Sequence, residues 1–208
     1  MVQIKICGIT NLDDALATVE AGADALGFNF YRKSPRYVTP GEARRIVEQL
    51  PPEVLCAGVF VNEDGDSLRR IINEVGLGAA QLHGDESPEF CLGLGGVMRI
   101  KALRVGEDFR VEEVTRFGTE AILLDAFTTD AFGGTGLTID WWIARRAREL
   151  VPKLFLAGGL TPENVSEAVR AVRPYAVDVC SGVENAPGRK SLRLVKKFIE
   201  AARLGDKA

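Results

Sequence analysis

Residues 153–182 read KLFLAGGLTPENVSEAVRAVRPYAVDVCSG. The stretch opens on a short apolar run, KLFLAGG from 153, and closes on another, AVDVCSG from 176; between them Val165, Ala168, Val169 and Val172 recur at helical spacing. Thr161, Pro162 and Glu163 predict the helix start: a capping oxygen, a proline where no N–H donor is needed, and an acid near the positive end. The unit is strand, helix, strand. Both runs are hydrophobic throughout rather than alternating, as parallel strands covered on both faces are.

Working outward, the same unit recurs. Further runs are VQIKI from 2, ADALGF from 23, VLCAGVFV from 54, AAQLH from 79, VMRIKAL from 97 and AILLDA from 121. Their starts step by roughly 25 residues, about the length of a strand, a loop and a three-turn helix. Helical stripes fall between them, at Leu12, Ala15, Leu16 and Val19, at Ala43, Ile46, Val47 and Leu50, and at Leu68, Ile71, Ile72 and Val75. Thr39, Pro40 and Glu42, and Ser87, Pro88 and Glu89, repeat the start signal. Eight such repeats predict an α/β fold, a single (β/α)8 TIM barrel with a parallel eight-stranded sheet, minimal in size and spanning 1–208 as one domain. A doubly wound open sheet is the fallback. The weakest units are residues 107–118, charged and short, and the stretch from 138 that contains two tryptophans.

Composition excludes several classes. Apolar residues are 46% and charged residues 26%, the profile of a globular protein and not of a disordered one. Lys plus Arg is 26 and Asp plus Glu 29, a formal charge of −3, so no overall positive field exists to hold nucleic acid or an anionic membrane. Cys7, Cys56, Cys91 and Cys180 are scattered and there is one histidine, so no metal-ligand cluster can be written and no metal is expected. Lys5 interrupts the first apolar stretch, no small-residue cleavage pattern follows, and no apolar run is long enough to span a membrane. A reducing, cytoplasmic setting is expected. Oligomeric state, monomer or homodimer, is not readable from the chain.

In such barrels chemistry sits at the carboxyl ends of the strands, so the residues directly after each run are the candidates. They are Cys7 with Gly8, then Asn29 to Arg36, His83, Asp125, Gly158 with Gly159, and Ser181 with Gly182. The loops after strands seven and eight, AGGLTPENV and CSGVE, suit phosphate, whose oxygens need the close backbone approach that glycine allows. In circular order those loops lie between Cys7 and Asp125, which therefore bracket a phosphorylated ligand. A thiolate of lowered pKa can accept a proton, and a desolvated carboxyl can donate one. Cys56, Cys91 and Cys180 are read as small buried hydrophobes.

KICGIT at 5–10, GFNFYRKSPRYV at 27–38, QLHGDE at 81–86, LLDAF followed by GGTG, AGGLTPENV, and SGVE with PGRKS together resemble the phosphoribosylanthranilate isomerase family of tryptophan biosynthesis. The resemblance runs nearly end to end, and the order of the motifs carries it. It implies an Amadori rearrangement of N-(5-phosphoribosyl)anthranilate to 1-(2-carboxyphenylamino)-1-deoxyribulose 5-phosphate, with no cofactor. By the same resemblance Cys7 is the general base, Asp125 the general acid, and Arg36 the guanidinium near the anthranilate carboxylate. Gly158, Gly159, Ser181 and Gly182 are assigned to substrate binding. His83 and Asp178 are left outside the catalytic set, His83 as a ligand contact or a structural histidine and Asp178 as a supporting hydrogen-bond partner. Cys180 stands where the family commonly has serine.

Two other readings remain open. One is another phosphosugar isomerase or synthase on the same barrel. A histidine-pathway aminoaldose isomerase would be expected to carry a carboxylate where Cys7 stands. An indoleglycerol-phosphate synthase would need a catalytic lysine, for which Lys5 or Lys101 is available, although Lys5 fits better as a support to the site. The other is a phosphosugar-binding barrel without turnover, against which Cys7, Asp125 and Arg36 stand together.

Overall fold

A computed structural model describes residues 1–126 and 141–207. Eight strands form a closed parallel barrel in sequence order: β1 Gln3–Cys7, β2 Ala25–Asn29, β3 Leu55–Phe60, β4 Ala79–Leu82, β5 Met98–Val105, β6 Ala121–Ala126, β7 Leu154–Leu156 and β8 Ala176–Val179. Closure comes from β8 pairing β1 in the register Lys5 to Asp178 and Ile6 to Val179. The helices outside are α1 Leu12–Glu20, α2 Pro40–Val47, α3 Gly65–Val75, α4 Pro88–Gly93, α5 Trp141–Leu150, α6 Val165–Val172 and α7 Leu192–Asp206. A short hairpin, β9 Glu184–Ala186 with β10 Arg189–Lys190, follows β8.

Local sequence explains most boundaries. Thr39 caps α2 and exchanges hydrogen bonds with Glu42, a reciprocal arrangement that satisfies two orphan donors. Ser87 caps α4 through the N–H of Phe90. The third expected start is corrected. Residues 161–164 form a turn, in which Asn164 Oδ1 accepts from the N–H of Thr161, and α6 begins only at Val165. The Asn164 side chain is spent on that loop and cannot cap the helix. Two further departures are small. Leu16 is exposed, so α1 buries Thr18 beside the expected Ala15, and the charged stretch 107–118 yields only a short 3-10 helix, Val111–Arg116.

The core has two layers. Side chains such as Ile4, Ile6, Leu26, Phe28, Leu82, Leu124, Leu156 and Val177 point outward and pack beneath the helices. Within the barrel, Ala57, Ala79, Ile100, Ala102, Ala121, Leu123, Phe155 and Ala176 fill a separate plug. Because successive strand residues face opposite sides, the inner face continues upward as Lys5 and Cys7, Gln81 and His83, Asp125, and Asp178 and Cys180. The polar residues thus cap an apolar plug at the carboxyl ends of the strands.

Candidate active site

Those inner-face residues converge on one cavity of about 250 Å³, lined by Cys7, Arg36, His83, Asp125, Gly158, Gly159, Asp178, Ser181 and Gly182, and also by Asn29, Gln81 and Cys180. All nine residues singled out from the sequence therefore meet in a single place. A larger hollow of about 390 Å³ lies between α2 and α3, lined by Arg32, Glu63, Arg70 and Glu74 among others, but no strand-end residue with a thiol, imidazole or inward carboxyl reaches it. The GGTG turn after β6 lies outside the described residues.

Cys7 is buried at the tip of β1. Two residues earlier, on the same face, Lys5 is fully enclosed and its Nζ lies 2.9 Å from Asp178 Oδ1. The Cys7 thiol is held well below the ordinary thiol range, first by a hydrogen bond from the Cys180 thiol. Burial opposes this, while the fields of Lys5, Lys190 and His83 reinforce it. Cys180 moves the opposite way, its thiol pushed well up because it donates to Cys7 and because it is buried. The two sulfurs are thereby pushed in opposite directions. Lys5 stays firmly protonated, since Asp178 and Cys7 outweigh the cost of its burial. Burial, with the nearby Cys7 and Asp125 charges, raises Asp178 to about 6 despite its pairing with Lys5.

Across the cavity, Asp125 stands next to the end of β6 about one-third exposed, with its Oδ2 3.3 Å from His83 Nε2. His83 Nδ1 in turn lies 2.9 Å from Gln81 Nε2. Between the two sides stand the loops after β7 and β8. Gly158 and Gly159 take φ of 80° and 65°, left-handed conformations natural to glycine. Asn164 Nδ2 donates to the Gly159 carbonyl at 2.9 Å and pins that loop. A Cβ on Gly182 would come 2.1 Å from the Leu160 carbonyl oxygen, so only glycine lets the two loops touch. Their backbone forms a tight concave rim of the kind that admits phosphate oxygens.

Arg36 reaches over from the β2 loop. Its Nε and Nη2 grip Glu184 at 3.0 and 2.6 Å, and Lys190 Nζ holds the same carboxylate at 2.8 Å. Glu184 sits below the usual carboxylate range because those two cations outweigh its burial. The Arg36 stem crosses directly above Gly8, where a Cβ would lie 2.8 Å from Arg36 Cδ and also from Cys180 Sγ.

The sequence reading missed four participants. Cys180, taken for a buried hydrophobe, lines the cavity and contacts Cys7. Its signal was available, since it follows Asp178 by two residues in the strand and shares its face. Gln81 stands in the same relation to His83. Glu184 and Lys190 lay inside quoted motifs, SGVE and PGRKS, but their pairing required the fold. Lys5 supports the site as expected, whereas Lys101 does not. It points outward from β5 and is consumed by Leu82, Gly84 and Glu86.

The arrangement offers a lowered thiol and a solvent-touched carboxyl on either side of an anion-sized rim, a set able to move two protons on a small phosphorylated molecule. The sequence model of one family, PRAI: N-(5'phosphoribosyl)anthranilate (PRA) isomerase, matches residues 4–201. The chain belongs to the N-(5'-phosphoribosyl)anthranilate isomerase family. It is accordingly an aldose–ketose isomerase of tryptophan biosynthesis. The family member from Geobacter sulfurreducens is 51% identical over 98% of this chain and 99% of its own, and that from Trichlorobacter lovleyi 49% identical over 98% of each. A crystal structure of the Thermotoga maritima phosphoribosyl anthranilate isomerase, 48% identical, superposes with a TM-score of 0.92 over 98% of this chain and 99% of that one. A phosphoribosyl anthranilate isomerase in complex with reduced 1-(o-carboxyphenylamino)-1-deoxyribulose 5-phosphate matches at a TM-score of 0.88 and 46% identity, covering 98% of this chain and 99% of that one.

Proposed function

We propose that this chain, acting as one domain, converts N-(5'-phosphoribosyl)anthranilate to 1-(2-carboxyphenylamino)-1-deoxyribulose 5-phosphate with Asp125 as general acid and Cys7 as general base. The observation that carries this reading is the convergence of a lowered Cys7 thiol and the Asp125 carboxyl on one cavity whose intervening wall is two glycine loops. The phosphate rests on the rim made by Gly158, Gly159, Ser181 and Gly182. Asp125 gives its proton to the furanose ring oxygen, the ring opens to a Schiff base, and Cys7 removes the proton from C2'. The resulting enolamine tautomerises to the ketone, and no atom is gained or lost overall.

Each role has a physical basis. Cys180 and Lys5 favour Cys7 as thiolate, the form that can accept a proton. Arg36, already fixed by Glu184, presents its remaining N–H groups to the anthranilate carboxylate, for which a planar fork is well shaped. All four cysteines are free, in keeping with a reducing cytoplasm in which a thiolate base survives. No helix among the described residues is long and apolar enough to cross a membrane. The test is a fluorescence assay that follows loss of phosphoribosylanthranilate made in situ, with the histidine-pathway aminoaldose substrate run in parallel. Turnover of the first supports the reading, and turnover of the second alone defeats it.

A further inference from the structure

We propose that Gln81 is a positioning residue of this reaction: its carboxamide N–H holds His83 in the Nε2–H tautomer, so that His83 cannot draw off the proton that Asp125 delivers. The inference rests on the reading of Asp125 as the acid.

Gln81 is the third residue of β4, in register with Val59 of β3 and Ile100 of β5, and is 1% exposed. Its Nε2 lies 2.9 Å from His83 Nδ1. Its Oε1 has no hydrogen-bond partner, and it is the one buried side-chain polar atom in that condition among the described residues. A methionine of similar length would fill the same space without stranding an acceptor, so packing alone does not call for an amide here. What the amide contributes is a donor aimed at one ring nitrogen.

That donor decides where the imidazole keeps its hydrogen. A neutral ring carries it on one nitrogen only. With Gln81 Nε2–H facing Nδ1, a hydrogen on Nδ1 would set two donors against each other, so the hydrogen sits on Nε2. From there the ring turns a hydrogen and not a lone pair toward Asp125 Oδ2, which lies 3.3 Å from Nε2. In the other tautomer the Nε2 lone pair would face the carboxyl and accept its proton, disarming the acid. All three line the cavity, and the contacts run from the buried Gln81 through His83 to Asp125.

His83 is the only histidine, so its ring nitrogens can be read without assignment in the intact protein carrying 15N-labelled histidine, at a pH where the ring is neutral. The expected spectrum is that of the Nε2–H tautomer, and an Nδ1–H spectrum overturns the proposal. Gln81→Met should mix or reverse the tautomers and lower kcat about tenfold or more, with KM within about twofold and melting temperature not lowered. Gln81→Glu, which only accepts, should move the hydrogen to Nδ1 and lower kcat further. Wild-type kcat in Gln81→Met defeats the inference. Asp125→Asn separates the two levels: if that variant turns over normally the acid reading falls, whereas if it is inactive and Gln81→Met is normal, only the role of Gln81 falls.

Discussion

Among the described residues three lysine–carboxylate pairs have buried side chains, and the two whose lysines stand in barrel strands do opposite things. Lys5 meets Asp178 at 2.9 Å and Lys101 meets Glu86 at 2.8 Å, each lysine almost wholly enclosed. Lys101 spends its donors on Glu86 and on the carbonyls of Leu82 and Gly84, and Glu86 also accepts from the N–H groups of Asn62 and Gly84. That knot is saturated and ties the β4–α4 loop to β5. Lys5 has one carboxylate oxygen and otherwise faces Cys7. A buried ion pair therefore does not mark a site by itself. The mark is a buried charge whose remaining capacity is turned toward a reactive atom.

The strongest way to test that contrast is to remove what Lys5 faces. Cys7→Ala should lower kcat by about 10²–10⁴-fold with the melting temperature nearly unchanged, since Lys5 keeps Asp178. Asp125→Asn should lower kcat over the same range, and near-normal initial rates in either variant would break the assignment. Next come the two lysines themselves. Lys101→Met strands Glu86 and should cost about 3–5 kcal/mol of stability in denaturant unfolding, with kcat of the folded protein close to wild type. Lys5→Met removes the cation beneath Cys7, and kcat/KM should fall about tenfold or more at neutral pH, because less of the thiol is ionised. If Lys101→Met proves the slower enzyme, the contrast is wrong.

Arg36 lies between these extremes, half engaged by Glu184 and half open to the cavity. Arg36→Lys should raise KM about tenfold, with a smaller change in kcat, since a point charge replaces a bidentate fork. The smallest effect is expected at Cys180. With Cys7 as the proposed base acting in its thiolate form, activity should be lost as pH falls through its depressed pKa. Cys180→Ala removes the hydrogen bond that contributes most to that depression. The acidic limb of the kcat/KM profile should move to higher pH, and the two enzymes should converge at alkaline pH. An unmoved limb would show that Lys5 and Lys190 suffice without the second sulfur.

Much of this was legible in residues whose meaning is local. The capping pairs Thr39 with Glu42 and Ser87 with Pro88 marked helix starts correctly, because a cap depends on three or four neighbouring residues. The same pattern misled at Thr161, where Asn164 is drawn into the loop after β7 and the helix starts later. Cys7, Asp125 and the glycine turns were singled out by standing at the carboxyl ends of the apolar runs, and the fold brings them to one cavity. Cys180 and Gln81 escaped because they are marked only by a two-residue spacing from Asp178 and His83, which puts each on its neighbour's face, and not by a position at the end of a run.

By itself the sequence determined the eight apolar runs, their alternation with helices and the order of the reactive residues at their ends, because these follow from hydrophobic patterning and glycine turns over short spans. Only the tertiary structure decided that Lys5 faces the barrel interior beneath Cys7 and Lys101 the outer side. A strand covered on both faces carries no period-two signature to reveal its inner side. Closure of β8 on β1 then joined Lys5 to Asp178 across 173 positions, a contact that no local pattern encodes.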